Sequence, residues 1–167
     1  MPNRMIFATI HGSHLYGTDH PESDLDYFAV VRDKMKTRHV IDIDSDTTTM
    51  SLDNFLLTAG RGNPQSLEAM FSQNYTFSEI EALREAFRID LRQTVETYRR
   101  TIKNFCHGTL KQQRHAFRLA HNLDTLYASG SFNPRLSDKQ IEEIFSLELS
   151  EPQELIDFLS LRFTITI

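Results

Sequence analysis

Cysteine is almost missing from this chain: Cys106 is the only one. A lone thiol excludes an internal disulfide and any zinc site built on several thiolates, and it suits a reducing compartment. Long apolar runs are missing as well. No stretch approaches the roughly 20 consecutive apolar residues that span a bilayer, and the start, Met1-Pro2-Asn3-Arg4, lacks the apolar core of a signal peptide. The expectation is a cytoplasmic protein without a membrane partner. Repeats and low-complexity tracts are absent, which sets aside solenoid architectures. An excess of positive charge is absent too. The net charge of −5 argues against a generic nucleic-acid binder.

What is present is ordinary in amount and uneven in placement. A chain of 167 residues with 40% apolar residues and 12 Phe can bury a sizeable core, as one unit or two lobes. Between Arg88 and His121 stand eight Lys and Arg against two acids, whereas from Leu119 onward eight acids face three bases. Such blocks are commonly solvated helix faces. Beside a phosphate-handling motif, the basic block becomes a candidate phosphate or RNA surface.

Hydrophobic patterning puts strands first and helices after. Met5 to Ile10 reads as a short buried strand, Leu25 to Val31 as a second, and His39 to Met50 as two extended pieces around Asp42, Asp44 and Asp46. Ser51 is a suitable cap for a helix carrying Leu52, Phe55, Leu56 and Ala59, ended by Gly60 and Gly62. Asn63-Pro64 opens the next, with Pro at the first helical position. Ser78 to Phe87 is a third helix. A long helical segment runs from Asp90 to Tyr127, with Gly108 as its candidate break. Ser137 and Gln140 form a capping box before Ile141 to Leu147. Pro152 to Leu161 is a final helix, and Phe163 to Ile167 alternates like a strand. The pattern predicts an α+β protein, with a small mixed β-sheet core over residues 1–88 and a C-terminal helical lobe over 89–167 packed on it.

The chemistry concentrates in His11-Gly12-Ser13-His14-Leu15-Tyr16-Gly17, followed shortly by Ser23-Asp24-Leu25-Asp26. Two acids one residue apart at the head of a strand put both carboxylates on one face. Neighbouring carboxylates repel, so the pair is best stabilised by a divalent cation. Gly12-Ser13, between an apolar strand and a short amphipathic segment, is where a backbone can approach a phosphate and offer free N–H groups. The plainer reading is a strand-to-helix turn with Ser13 as N-cap, and the two are compatible. A phosphate cradle beside a metal-binding pair of acids is machinery for moving a nucleotidyl group.

The run resembles the signature of the DNA polymerase β-like nucleotidyltransferase superfamily: Gly-Ser, a variable loop, then Ser-Asp-x-Asp entering a strand. Gly12-Ser13-His14-x-Tyr16-Gly17-Thr18, Asn63-Pro64 and Lys111-x-x-x-His115-x-x-Arg118 resemble one branch of it, the predicted nucleotidyltransferases of bacteria and phages associated with RNA repair. The resemblance covers nearly the whole chain, from about residue 5 to about residue 160. It implies an enzyme using Mg²⁺, with Mn²⁺ as the alternative ion, that moves a nucleoside monophosphate from a triphosphate such as ATP to an acceptor hydroxyl and releases pyrophosphate. The acceptor it implies is an RNA end. Asp24 and Asp26 would be catalytic metal ligands. The resemblance also implies a third carboxylate, six residues before the Leu of a Ser-Leu pair. Counting back from Ser51-Leu52 selects Asp46, with Asp44 second and Asp42 left to a solvated turn.

Lys111, His115 and Arg118 share one helix face by their spacing. Alone they read as a solvated stripe, and with the resemblance as a phosphate-binding one, joining Gly12 and Ser13. Tyr16 can stack on a base or pack inside, and Ser23 can support Asp24 or close its loop. His11, His14, His20 and His107, Glu68, and Cys106 read as structural groups. Two rival functions stay open. The same chemistry can serve a protein acceptor, as in adenylylating toxins and antitoxins, or the chain can bind nucleotide without turnover and regulate a partner through its C-terminal helices.

Overall fold

A computed structural model describes residues 4–43, 45–76, 79–163, 165 and 167, the side chain of Thr76 excepted. The chain divides into two compact units, Met1–Asp90 and Leu91–Ile167. It is an α+β protein, and among the described residues the strands lie in the first unit and the helices in both.

The first unit is built on a mixed five-stranded sheet ordered β3-β4-β2-β1-β5. Its strands are β1 (Met5–His11), β2 (Leu25–Val31), β3 (Arg38–Ile41), β4 (Ser45–Ser51) and the two-residue β5 (Tyr75–Thr76). Only β2 and β4 run parallel. The chain reaches the edge strand β3 after β2, then turns back into β4. That turn is closed by the Asp42 amide donating to the Ser45 carbonyl at 2.8 Å. Helices α1 (Gly12–Tyr16), α2 (Leu52–Gly60), α3 (Pro64–Phe71) and α4 (Glu79–Ala86) complete the unit.

The alternation of β2 and β4 decides which face these helices cover. Phe28 and Val30 share one face with Met50, and they pack with Ile6, Phe7, Phe55, Ala59, Ala69, Met70 and Ile80 in one buried cluster. Phe7 and Phe55 meet edge to face at 5.2 Å. Burying each such side chain is worth about 1.5–3 kcal/mol. Asn63 caps α3 as its position before Pro64 predicts, accepting from the Ser66 amide at 3.1 Å.

The second unit contains α5 (Leu91–Cys106), α6 (Leu110–Ser129), α7 (Asp138–Phe145) and α8 (Pro152–Phe163). Its interior holds Tyr98, Ile102, Phe117, Leu119, Leu123, Leu155 and Leu159. Cys106 is fully buried there, and burial pushes its thiol up to about 11. The long helical segment is interrupted at Gly108, and a capping box between Thr109 and Gln112 starts α6. Ser137 and Gln140 form the expected box on α7. No helix among the described residues is long and apolar enough to cross a membrane.

Three local expectations need correction. Helix α1 begins at Gly12 with His11 in the capping position, so Ser13 lies inside its first turn. Ser51 stands before α2 as expected but makes no capping bond with its side chain, because it is also the buried last residue of β4. The C-terminal alternation does not form a strand from Phe163, since that residue ends α8, where its ring packs on Phe117 and His121. Residues 164 and 166 of that segment, and Ser78 at the expected start of the third helix, lie outside the described residues.

Candidate functional site

Strand register brings the chemistry together in the first unit. Asp26 is the second residue of β2 and Asp46 the second of β4, and the two are direct partners across the parallel pair. Paired residues of adjacent strands project to the same face, with backbones about 4.8 Å apart. On the other side of Asp26, His11 is its partner at the end of β1. One row across the sheet therefore reads Asp46, Asp26, His11. It sits at the end of the face whose next residue along β2 is the buried Phe28, and the His11 ring lies 5.8 Å from that of Phe28.

Gly12 follows directly and is pressed against this row. Its φ is +62°, and a Cβ built there would lie 1.8 Å from Oδ2 of Asp26. Only glycine lets the backbone run so close to the carboxylate. The turn then closes on itself, with the amides of Gly17 and Thr18 donating to the Ser13 carbonyl at 2.9 and 3.0 Å. The Gly12-Ser13 pair and Asp26, separate in sequence, are thus neighbours in space.

Asp46 has surroundings that the sequence did not reveal. Nε2 of His39, on the edge strand, lies 3.1 Å from its Oδ1. Nδ1 of the same ring is 2.9 Å from the Thr48 hydroxyl. Although close to His39, Oδ1 of Asp46 is buried and has no aligned hydrogen bond. Only register could have exposed this pairing, because His39 faces Thr48 across β3 and β4. Asp42 is exposed in the turn, and Asp44 lies outside the described residues.

Asp24 is exposed and precedes the first residue of β2. It lies outside the pleat that aligns Asp26, so alternation alone does not put it in the row. Ser23 closes the loop before it: its hydroxyl accepts from the His20 amide at 2.9 Å, and its own amide donates back to the His20 carbonyl at 2.8 Å. Tyr16 is buried, and its hydroxyl donates to Oε2 of Glu68 at 2.8 Å.

The helical stripe belongs to the second unit. Lys111 is exposed in the first turn of α6, His115 is half-buried, and Arg118 is only 6% exposed. The Arg118 guanidinium donates to Oδ1 of Asn122 at 3.2 Å and to Nδ1 of His115 at 3.5 Å. Asn122 in turn donates to the Asn133 carbonyl at 3.1 Å. Arg114, beside the stripe, donates to the carbonyls of Phe145 and Leu147 at 3.1 and 3.3 Å.

Among the described residues, no three or more His, Cys, Asp or Glu side chains are grouped to hold a metal ion. Magnesium does not need such a cage, since it is typically held by one or two carboxylates, waters and substrate phosphates. Two carboxylates paired in register, one with a buried oxygen lacking an aligned hydrogen bond, are the hard oxygen donors it prefers. The donor set fits the ion. No protein-family model matches this chain, and no curated protein matches it significantly.

Proposed function

We propose that this chain is a Mg²⁺-dependent nucleotidyltransferase of the DNA polymerase β-like kind, moving a nucleoside monophosphate from a triphosphate to an RNA end. The observation that carries the reading is the close fit of Gly12 to Asp26, itself in register with Asp46. A glycine turn against a carboxylate pair supplies backbone N–H groups for phosphate oxygens and acids for the reacting centre, on neighbouring strands.

In this reading the Gly12-Ser13 turn seats the triphosphate, while the Lys111, His115 and Arg118 stripe on α6 is taken separately as a candidate phosphate-binding face of the second unit, led by the exposed Lys111. Asp24, Asp26 and Asp46 would hold Mg²⁺, or Mn²⁺ in its place. The ion, when bound, supplies charge neutralisation for the triphosphate and makes the acceptor hydroxyl more acidic. Asp46 takes the proton from that hydroxyl, whose oxygen attacks the α-phosphorus as the bond to the β-phosphate oxygen breaks. Pyrophosphate leaves with the electron pair. The exposed bases of the basic block, Arg92, Lys103 and Lys111 among them, offer phosphate contacts to an RNA strand.

The test is incubation with α-labelled ATP and Mg²⁺, with either total RNA or cell lysate as acceptor. Label in RNA with stoichiometric pyrophosphate, lost in Asp26→Asn, is the expected result. Label confined to protein would replace the acceptor. Nucleotide binding with no pyrophosphate would replace the enzyme by a nucleotide-binding regulator.

A further inference from the structure

We infer that Glu68 is a positioning residue, which sets the Gly12-Ser13 turn against Asp26 by meeting the side chains at both of its ends. The inference rests on the proposed role of that turn as the triphosphate seat.

Helix α1 has five residues. A single helical turn does not sustain itself, because nucleation costs more than so few hydrogen bonds return. Something else must therefore hold the turn in place. The residue just before α1 is His11 and the last within it is Tyr16, and both side chains reach one oxygen. The Tyr16 hydroxyl donates to Oε2 of Glu68 at 2.8 Å, and Nε2 of His11 lies 3.5 Å from the same atom. The Tyr16 oxygen and His11 Nε2 are themselves 3.5 Å apart. All three side chains are buried, with Glu68 only 1% exposed.

The carboxylate is itself well anchored. Glu68 lies in α3 between Leu67 and Ala69, both fully buried, on a helix capped by Asn63. A carboxylate taken out of water is costly unless donors meet it, and a leucine of similar size would avoid that cost. Holding the turn is a use that offsets the cost. His11 also partners Asp26 across β1 and β2, so the group that fixes the start of the turn stands in the acid row itself.

Two arms test this with the full-length chain, using Tyr16→Phe, Glu68→Leu and Glu68→Gln. Hydrogen exchange of the amides from Gly12 to Thr18 reads the clamp without any nucleotide. Tyr16→Phe keeps the ring and removes only the hydroxyl, so it serves where Glu68→Leu fails to fold. Expected is a loss of protection of ten-fold or more in Tyr16→Phe and Glu68→Leu, with the β2 amides unchanged and most protection restored in Glu68→Gln. Unaltered protection in Tyr16→Phe, or loss spread evenly through the first unit, overturns the positioning role. The second arm titrates a fluorescent ATP analogue with Mg²⁺ and compares KM with kcat. Binding about ten-fold weaker, with kcat at saturation within three-fold of the parent, is expected for Tyr16→Phe and Glu68→Leu. Parental affinity in both overturns the inference while leaving the nucleotide site standing. A parent chain that binds no nucleotide overturns the site itself, and with it the purpose assigned to Glu68.

Discussion

A methyl group added to Gly12 would overlap Oδ2 of Asp26, and the backbone there has φ +62°, where L side chains are strained. Gly12→Ala must therefore accept the strain and displace either the turn or the carboxylate. Expected is a stability loss of about 1–2 kcal/mol from the backbone alone, together with loss of the nucleotidyl transfer proposed for the chain. Gly60 is the internal comparison: nothing lies within 4 Å of a Cβ there, and its φ is ordinary. Gly60→Ala should be neutral or stabilising by about 0.4–1 kcal/mol. Thermal unfolding of the two variants beside the parent, followed by a probe in the first unit, decides the matter. Equal midpoints and equal activity for Gly12→Ala would remove the close approach from the account of the site.

At the level of elements, α6 separates two kinds of basic residue that share a stripe. Lys111→Ala removes an exposed charge and should leave stability within about 0.5 kcal/mol of the parent. Arg118 is buried and bonded to Asn122, whose own amide holds the Asn133 carbonyl. Arg118→Ala leaves the Asn122 oxygen without that donor, so a stability loss of about 1–3 kcal/mol is expected. Urea unfolding of both variants tests the contrast, and an Arg118→Ala chain as stable as the parent would show that the network is dispensable. Helical period puts 111, 115 and 118 on a common face but cannot say how deep each one sits, since depth depends on what α6 packs against. The same limit runs through the chain. Capping at Asn63 and Ser137 was legible because its donors and acceptors lie within three residues. Strands β1 and β2 were legible because their apolar residues are contiguous. The meeting of Gly12 with Asp26, of His39 with Asp46, and of Glu68 with Tyr16 depends on register and packing between distant segments. No local pattern encodes those contacts.

Across the whole molecule, a chain of two compact units is a case where one midpoint is not a sufficient description of unfolding. Acid is expected to act on the second unit through His121. Its ring stacks on Phe117 at 5.0 Å and meets Phe163 edge-on at 4.8 Å. Nδ1 is 3.3 Å from the Gln140 amide nitrogen. Nε2 lies 3.2 Å from a Glu143 carboxylate oxygen, without the alignment of a hydrogen bond. Burial lowers the imidazole below its ordinary 6.5, and Arg162 adds to this, outweighing the upward pull of Glu143 and Asp124. The native state therefore keeps His121 neutral at a pH where the unfolded chain has begun to take up a proton. Its contribution to stability is complete above about pH 6.5 and is lost as pH falls from there toward the lower native value. For one group the slope cannot exceed about 1.4 kcal/mol per pH unit. His121→Phe retains an aromatic ring between Phe117 and Phe163 but has no proton to gain. Hydrogen exchange of α6 amides at pH 7.5, 6 and 5, with β2 amides as the reference, should show the parent losing protection free energy on acidification faster than the variant. A parent-minus-variant difference that stays constant over this range would remove His121 as the acid-sensitive group of the second unit.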